Sequence, residues 1–157
     1  MDTDGTYPTA ADDTAYVTFK TDETATVVPA DVANYTVDAE KSVLEAVVAA
    51  DGSTVLKVYY KLNETKLTIE VDGKETVIEG LVGSKVPADK IPDTEKDGYT
   101  FNGWVDENGD SVDAPTTMPA EDVTIKADYS VKSYNVTYFD GTNVYYGPTA
   151  TEYGTAI

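Results

Sequence analysis

The sequence predicts a mostly β (α+β) chain, built as a tandem series of small modules with at most one short helix each. Three observations lead there. Short runs rich in Val, Thr, Ile and Tyr alternate apolar with polar residues, as half-buried strands do. Asp72-Gly73 separates two such runs, residues 66–71 and 74–79, and Asp-Gly between alternating runs signals a hairpin, because both central residues of a type I′ turn need positive φ. Motifs also recur along the 157 residues at offsets of 58 to 71, which favours small repeats over one larger domain. A module of about 70 residues buries only ~60% of the surface its unfolded chain exposes, so neighbours or aromatic closure of each core must help.

Taken in order, residues 1–14 are rich in Asp and Thr, hold Gly5 and Pro8, and are expected to be a solvated linker. Residues 15–63 form a divergent, compressed β repeat. Its strands are expected at 16–20, 26–28, 35–37 and 55–60. Residues 40–52 carry helix formers, with Asp38 placed as an N-cap and Gly52 as a C′ stop, yet Val43, Val47 and Val48 are β-branched. Comparison with the later copy decides for a strand and turn. Asn63-Glu64-Thr65 is a polar joint.

The second module spans 64–132. It opens with the Asp72-Gly73 hairpin, allows a turn or two of helix over 85–93 before Pro92 limits it, and continues through a strand at Gly98-Tyr99-Thr100-Phe101-Asn102-Gly103-Trp104. A turn at 107–110 follows, and residues 123–129 close the unit as its last strand. Residues 133–157 then repeat the opening hairpin, with Asp140-Gly141 at an offset of 68 from Asp72-Gly73 and Gly154 at 71 from Gly83. The first module keeps three anchors in order. Val28-Pro29-Ala30-Asp31 precedes Val86-Pro87-Ala88-Asp89 by 58, Tyr35-Thr36-Val37 precedes Tyr99-Thr100-Phe101 by 64, and Leu56, Val58 and Tyr60 precede Ile125, Ala127 and Tyr129 by 69.

Charge and composition exclude much. The formal charge is −18, from 29 acidic residues and 11 lysines, with no arginine, histidine or cysteine. Such a chain repels phosphate backbones and anionic membranes, so nucleic acid is excluded as a partner. Without Cys or His there is no disulfide, no thiolate nucleophile, and neither the usual general base nor the commonest zinc ligand. No cofactor is expected. Paired carboxylates abound only because the chain is acidic. No run of 18 apolar residues occurs, so direct membrane insertion is not expected, and Met1-Asp2-Thr3-Asp4 does not begin a signal peptide. Absent cysteine together with high Thr, Val, Tyr and Asp fits an extracellular setting at a bacterial cell surface or wall; targeting signals, with Met1 as an added start, are then expected outside these residues.

Several side chains invite a functional reading beside a plainer one. Tyr99, Phe101 and Trp104 offer flat faces to a sugar ring, but in a small module they serve better as core, with Ile125 and Tyr129. Strict alternation places Trp104 opposite Tyr99 and Phe101, so either Gly103 sits at a bulge or one ring faces outward. Asp106, Asn108 and Asp110, with Asp113 near, supply oxygens on a tight turn, yet the twelve-residue calcium spacing and its closing glutamate are missing. An ordinary Asn-Gly turn is favoured. Lys57 and Lys126 lie inside strands, where an isopeptide staple requires a buried lysine; solvent-facing lysines guarding sheet edges are the plainer expectation. Tyr59, Tyr145 and Tyr146 sit in Tyr-Tyr pairs whose members should point to opposite faces, leaving one of each pair free for ligand or neighbour contacts.

Residues 66–130 resemble the internalin B-repeat, or Listeria-Bacteroides repeat, of bacterial surface proteins. The likeness rests on an opening hairpin, Gly83-x-x-Val86-Pro87, Gly98-Tyr99-Thr100-Phe101-x-Gly103-Trp104, and Met118-Pro119-x-x-Asp122-Val123-Thr124-Ile125-x-Ala127-x-Tyr129, in that order. The first module resembles the tail of mucin-binding-type repeats and lacks the Gly-Trp pair. The resemblance implies β-grasp-like modules, each a small mixed sheet with one short helix or helical turn, in a secreted or wall-attached, non-enzymatic tandem array. The expected role is a spacer or stalk whose partners are neighbouring repeats of the same chain. The alternative is an adhesin binding a host glycan or extracellular protein through exposed tyrosines.

Overall fold

A computed structural model describes residues 1–156; Ile157, the last residue of the expected partial repeat at 133–157, lies outside them. The chain is mostly β. In order it forms β1 (Thr24–Thr26), β2 (Tyr35–Val37), β3 (Glu45–Val47), β4 (Tyr60–Leu62), β5 (Glu64–Val71), β6 (Lys74–Leu81), one turn of 3-10 helix (Ala88–Lys90), β7 (Tyr99–Val105), β8 (Ser111–Val112), β9 (Val123–Val131), β10 (Ser133–Asp140) and β11 (Asn143–Glu152). Three two-stranded sheets pair β1 with β3, β2 with β4 and β10 with β11, and a five-stranded sheet has the order β6-β5-β9-β7-β8. No helix among the described residues is long and apolar enough to cross a membrane.

The chain divides into two compact units. The first comprises residues 1–66, 79–86 and 117–121. Its buried apolar side chains are Ala25, Leu62, Val82, Val86 and Met118. Met118 earns its place in the Met-Pro motif through the backbone: its N–H donates to Ser84 O at 2.7 Å, and its carbonyl accepts from Gly83 N at 2.9 Å. The hydroxyl of buried Thr65 donates to Pro119 O at 2.8 Å, which leaves that hydroxyl satisfied out of water. Gly80 faces this methionine closely, since a Cβ there would lie 3.0 Å from Met118 Cγ.

The second unit comprises residues 67–78 and 87–116 together with the described residues from 122 onward. Leu67, Ile69, Ile78 and Ile125 are its buried apolar residues. Leu67 and Ile69 alternate with more exposed neighbours along β5, so one face of that strand meets the core and the other meets solvent. β9 runs parallel to β5, with Leu67 opposite Val123 and Ile69 opposite Ile125, and antiparallel to β7. Parallel neighbours require a long crossover. The segment between β5 and β9, with its 3-10 turn, supplies it.

The hairpin at Asp72-Gly73 has positive φ at both residues, 53° and 73°, as a type I′ turn demands. Residues 40–52 form β3 and an isolated bridge from Val43 to Lys57, with no helix. Other expectations need correction. Residues 16–20 are not a strand; they alternate well, but no neighbouring strand pairs with them, and Tyr16 is 95% exposed. Only a bridge at Lys57 and the start of β4 at Tyr60 remain of the strand expected at 55–60. The 3-10 turn that follows Val86-Pro87 has no counterpart after Val28-Pro29. In the last hairpin Asp140 ends β10, opposite Asn143, and Gly141-Thr142 is the loop. The loop therefore lies 69 residues after Asp72-Gly73 and not 68, and only Gly141 of its two residues has positive φ. Residues 1–14 are also more than a linker, because Met1 and Tyr7 both bond the first module.

Candidate functional site

The aromatic group of the second unit is assembled by a kink in β7. Phe101 opposes Tyr129 and Gly103 opposes Asp128, so Asn102 is an extra residue, and φ of 133° at Gly103 absorbs the bulge. Parity shifts by one. Phe101 and Trp104 therefore meet edge to face, centroids 5.3 Å apart, while Phe101 and Tyr99 pack on Tyr129 at 5.8 and 6.4 Å. Tyr99, Phe101, Trp104 and Tyr129 are half-buried, whereas Ile125 is fully buried. The innermost core is aliphatic, and the rings cover it. Lys96 Nζ lies 4.3 Å from the centre of Tyr99 and 5.3 Å from that of Tyr129, and bonds Asp72 Oδ1 at 2.5 Å. That bond, ahead of the nearby negative charge, holds the ammonium pKa above its ordinary value. Tyr129 OH donates to Thr94 O at 3.0 Å. Lys96 thus occupies a face of Tyr99 and of Tyr129, so these two rings do not offer that face to a sugar.

The loop carrying Asp106, Asn108 and Asp110 uses its oxygens internally. Asp106 Oδ1 accepts from the N–H groups of Asn108 and Asp110, both at 2.9 Å, and Asn108 Nδ2 donates to Oδ2 at 3.3 Å. The Asp110 N–H, more than any other cause, holds the Asp106 carboxyl below its usual pKa. This is an Asx turn, locally sufficient for an Asn-Gly loop with Gly109 at φ of 87°.

A second polar group, unforeseen from sequence, surrounds Tyr59. Tyr7 packs edge to face on Tyr59 at 5.4 Å, donates its hydroxyl to Asp38 Oδ2 at 2.5 Å, and carries Lys41 Nζ 4.6 Å from its ring centre. Desolvation first, and then Asp38, pushes the Tyr7 phenol up to about 12; the same bond holds the Asp38 carboxyl below its ordinary value. With Pro8 and Thr9 these rings line an open groove of about 490 Å³. Chemically it offers a protonated phenol and an ammonium, groups that bind and orient. No signal in the sequence ties Tyr7 to Asp38, since they lie 31 residues apart.

The remaining sequence candidates are dispersed. Tyr145 is 80% and Tyr146 59% exposed, so both members of that pair face solvent, and Tyr59 and Tyr60 are both half-buried. The expectation that one member is exposed fails at Tyr145-Tyr146 because β10 and β11 form a two-stranded sheet largely exposed along both strands; within it Tyr146 pairs with Tyr138, rings 6.0 Å apart. Lys57 and Lys126 are exposed, which removes the buried lysine an isopeptide bond needs. Lys126 guards no edge either: it sits on a central strand and pairs with Glu70, its register partner on β5, at 3.1 Å.

The feature the sequence pointed to only through Gly83 and Gly154 is a joint that occurs twice. β4 passes into β5 through Asn63 alone, and β9 into β10 through Lys132 alone. Asn63 N donates to Asn34 O at 2.9 Å and Lys132 N to Gly98 O at 2.8 Å. Each acceptor is a left-handed residue, at φ of 67° and 77°, immediately before the strand, β2 or β7, that pairs with the strand leading into the joint. Asn63 O then accepts from Val82 N at 3.0 Å, and Lys132 O from Tyr153 N at 2.9 Å. Val82 and Tyr153 each precede a left-handed glycine, Gly83 or Gly154, in a turn closed by Ser84 N to Leu81 O or Thr155 N to Glu152 O. The strand pairs repeat too. Tyr35 opposes Leu62 and Val37 opposes Tyr60, as Tyr99 opposes Val131 and Phe101 opposes Tyr129, which preserves the offsets of 64 and 69.

Residues 57–128 match the Listeria-Bacteroides repeat domain. The chain is also similar to Internalin H of Listeria monocytogenes serovar 1/2a, 39% identical over 72 residues. That match covers 44% of this chain and 13% of internalin H.

Proposed function

We propose that this chain, whose residues 57–128 form a Listeria-Bacteroides repeat of the internalin type, is a non-enzymatic spacer that holds other domains away from a bacterial surface. The observation that carries the reading is the repeated joint. A one-residue connection bonded on both its N–H and its C=O leaves a following hairpin little freedom to swing, and stiffness is what a stalk needs. The finer fold reading is β-grasp: an opening hairpin, a single helical turn, and a closing strand lying parallel beside the first in a mixed sheet. Likeness to an internalin supports an extracellular or surface location, and the same reading takes wall attachment and neighbouring repeats as the setting and first partners of each module.

The test is display of the chain between a surface anchor and an epitope tag, in one, two and four copies. Antibody access to the tag should rise with copy number. If access is independent of copy number, the spacer reading is lost. Exposed Tyr145 and Tyr146 favour a second reading, adhesion to a host glycan or protein. Saturable binding on a glycan array, abolished by Tyr145→Ala with Tyr146→Ala, would decide for it.

A further inference from the structure

The two joints share one backbone plan but differ in one pair of side chains. At the second joint Gly98 is buried, and the ring of Tyr153 lies directly over it: a Cβ at Gly98 would come within 2.0 Å of Tyr153 Cδ1 and 2.1 Å of Cγ. Turning the ring about its own axis cannot relieve a clash with Cγ, so Tyr153 would have to leave. Its ring also meets Tyr99 edge to face at 6.2 Å. At the first joint the same left-handed place is held by Asn34, which has a Cβ, and the place of Tyr153 is held by the smaller, buried Val82.

We infer that each joint is keyed. A repeat with glycine at the left-handed position accepts a follower with an aromatic residue at the end of its second hairpin strand, and one with asparagine accepts a β-branched aliphatic residue there. The partner of the Gly98 surface is thus a second repeat of stated chemistry, and the order of repeats along an array is written at these pairs. This rests on the tandem-repeat reading above and adds neighbour specificity to it.

Asparagine tolerates positive φ, as Asn34 itself does at 67°, so Gly98→Asn introduces the Cβ with little backbone strain. Hydrogen exchange is measured on the full chain, together with ring contacts of Tyr153. In Gly98→Asn the Tyr153 amide should exchange roughly tenfold faster or more and its contact with Tyr99 should vanish, while Trp104 emission stays unchanged. Adding Tyr153→Val, which copies the first joint, should return protection. Gly109→Asn, at φ of 87° in open space, should change nothing at the joint. The key is overturned if Gly98→Asn leaves Tyr153 protected, or if the double variant exchanges as fast as the single one. If the Lys132 and Tyr153 amides are unprotected in the unchanged chain, the joint itself fails, and the tandem reading with it.

Discussion

Tyr7 carries a testable consequence of a single contact. Its phenol is raised to about 12 by desolvation and Asp38, from an ordinary value of 10.0. A raised acid is favoured in its protonated form by the fold, so the contact's stabilisation is complete below pH 10 and disappears as pH climbs through about 12. Absorbance titration should find one tyrosine ionising late, and Tyr7→Phe should remove that step. Asp106 has the opposite sign. Its folded pKa is depressed, so the turn is best held above the unfolded value of 3.8 and loosens as pH falls through the folded one. Protection of the Asn108 and Asp110 amides, taken relative to the intrinsic exchange rate at each pH, should fall for both together on acidification, and Asp106→Ala should lower it at neutral pH. In the core, Leu67 and Ile125 are almost fully enclosed. Truncation of either to Ala should cost about 2–5 kcal/mol in denaturant unfolding, more than loss of the exposed Tyr145, which should cost under about 0.5 kcal/mol.

At the scale of elements, glycine position decides which strand faces which way. Gly103 has φ of 133°, a conformation nearly closed to other residues, and it sets the side on which Trp104 lands. Gly103→Ala should cost roughly 1–3 kcal/mol and shift Trp104 emission, as the ring loses its partner Phe101. The bulge was one of two outcomes that sequence alternation allowed, because five of seven residues in β7 alternate cleanly and the single Trp breaks phase. The opening hairpin was legible because Asp72-Gly73 needs no tertiary help to turn. Residues 16–20 show the limit of that reasoning: their alternation is as good as that of β5, but a strand exists only where another strand completes its hydrogen bonds. The sequence places the aromatic cluster in the core, whereas its rings are half-buried over an aliphatic centre; the Tyr7 group was not legible at all, since it joins residues far apart in the chain with no repeat to align them.

For the whole molecule, −18 is a large charge on 157 residues. The ion pairs Lys66–Glu79, Lys96–Asp72 and Lys126–Glu70 lie largely at the surface and offset little of it. Self-repulsion acts over a Debye length of about 30 Å at 0.01 M salt and about 8 Å at 0.15 M. The melting temperature should therefore rise with added sodium chloride over that range and level off beyond it; a fall would mean that the ion pairs outweigh the repulsion.

Sequence alone determined the β character, the Asp72-Gly73 turn, the repeat offsets of 64 and 69 and the exclusion of histidine and cysteine chemistry, because these rest on local backbone preference and on which residues are present. Tertiary structure decided the side of Trp104, the shift of the last turn to Gly141-Thr142, the protonated Tyr7 and the seat of Tyr153 on Gly98. Each of these depends on what a distant strand brings within reach. Contact distances of a few ångströms between residues tens of positions apart are fixed by the packing of the fold and leave no periodic trace in the chain.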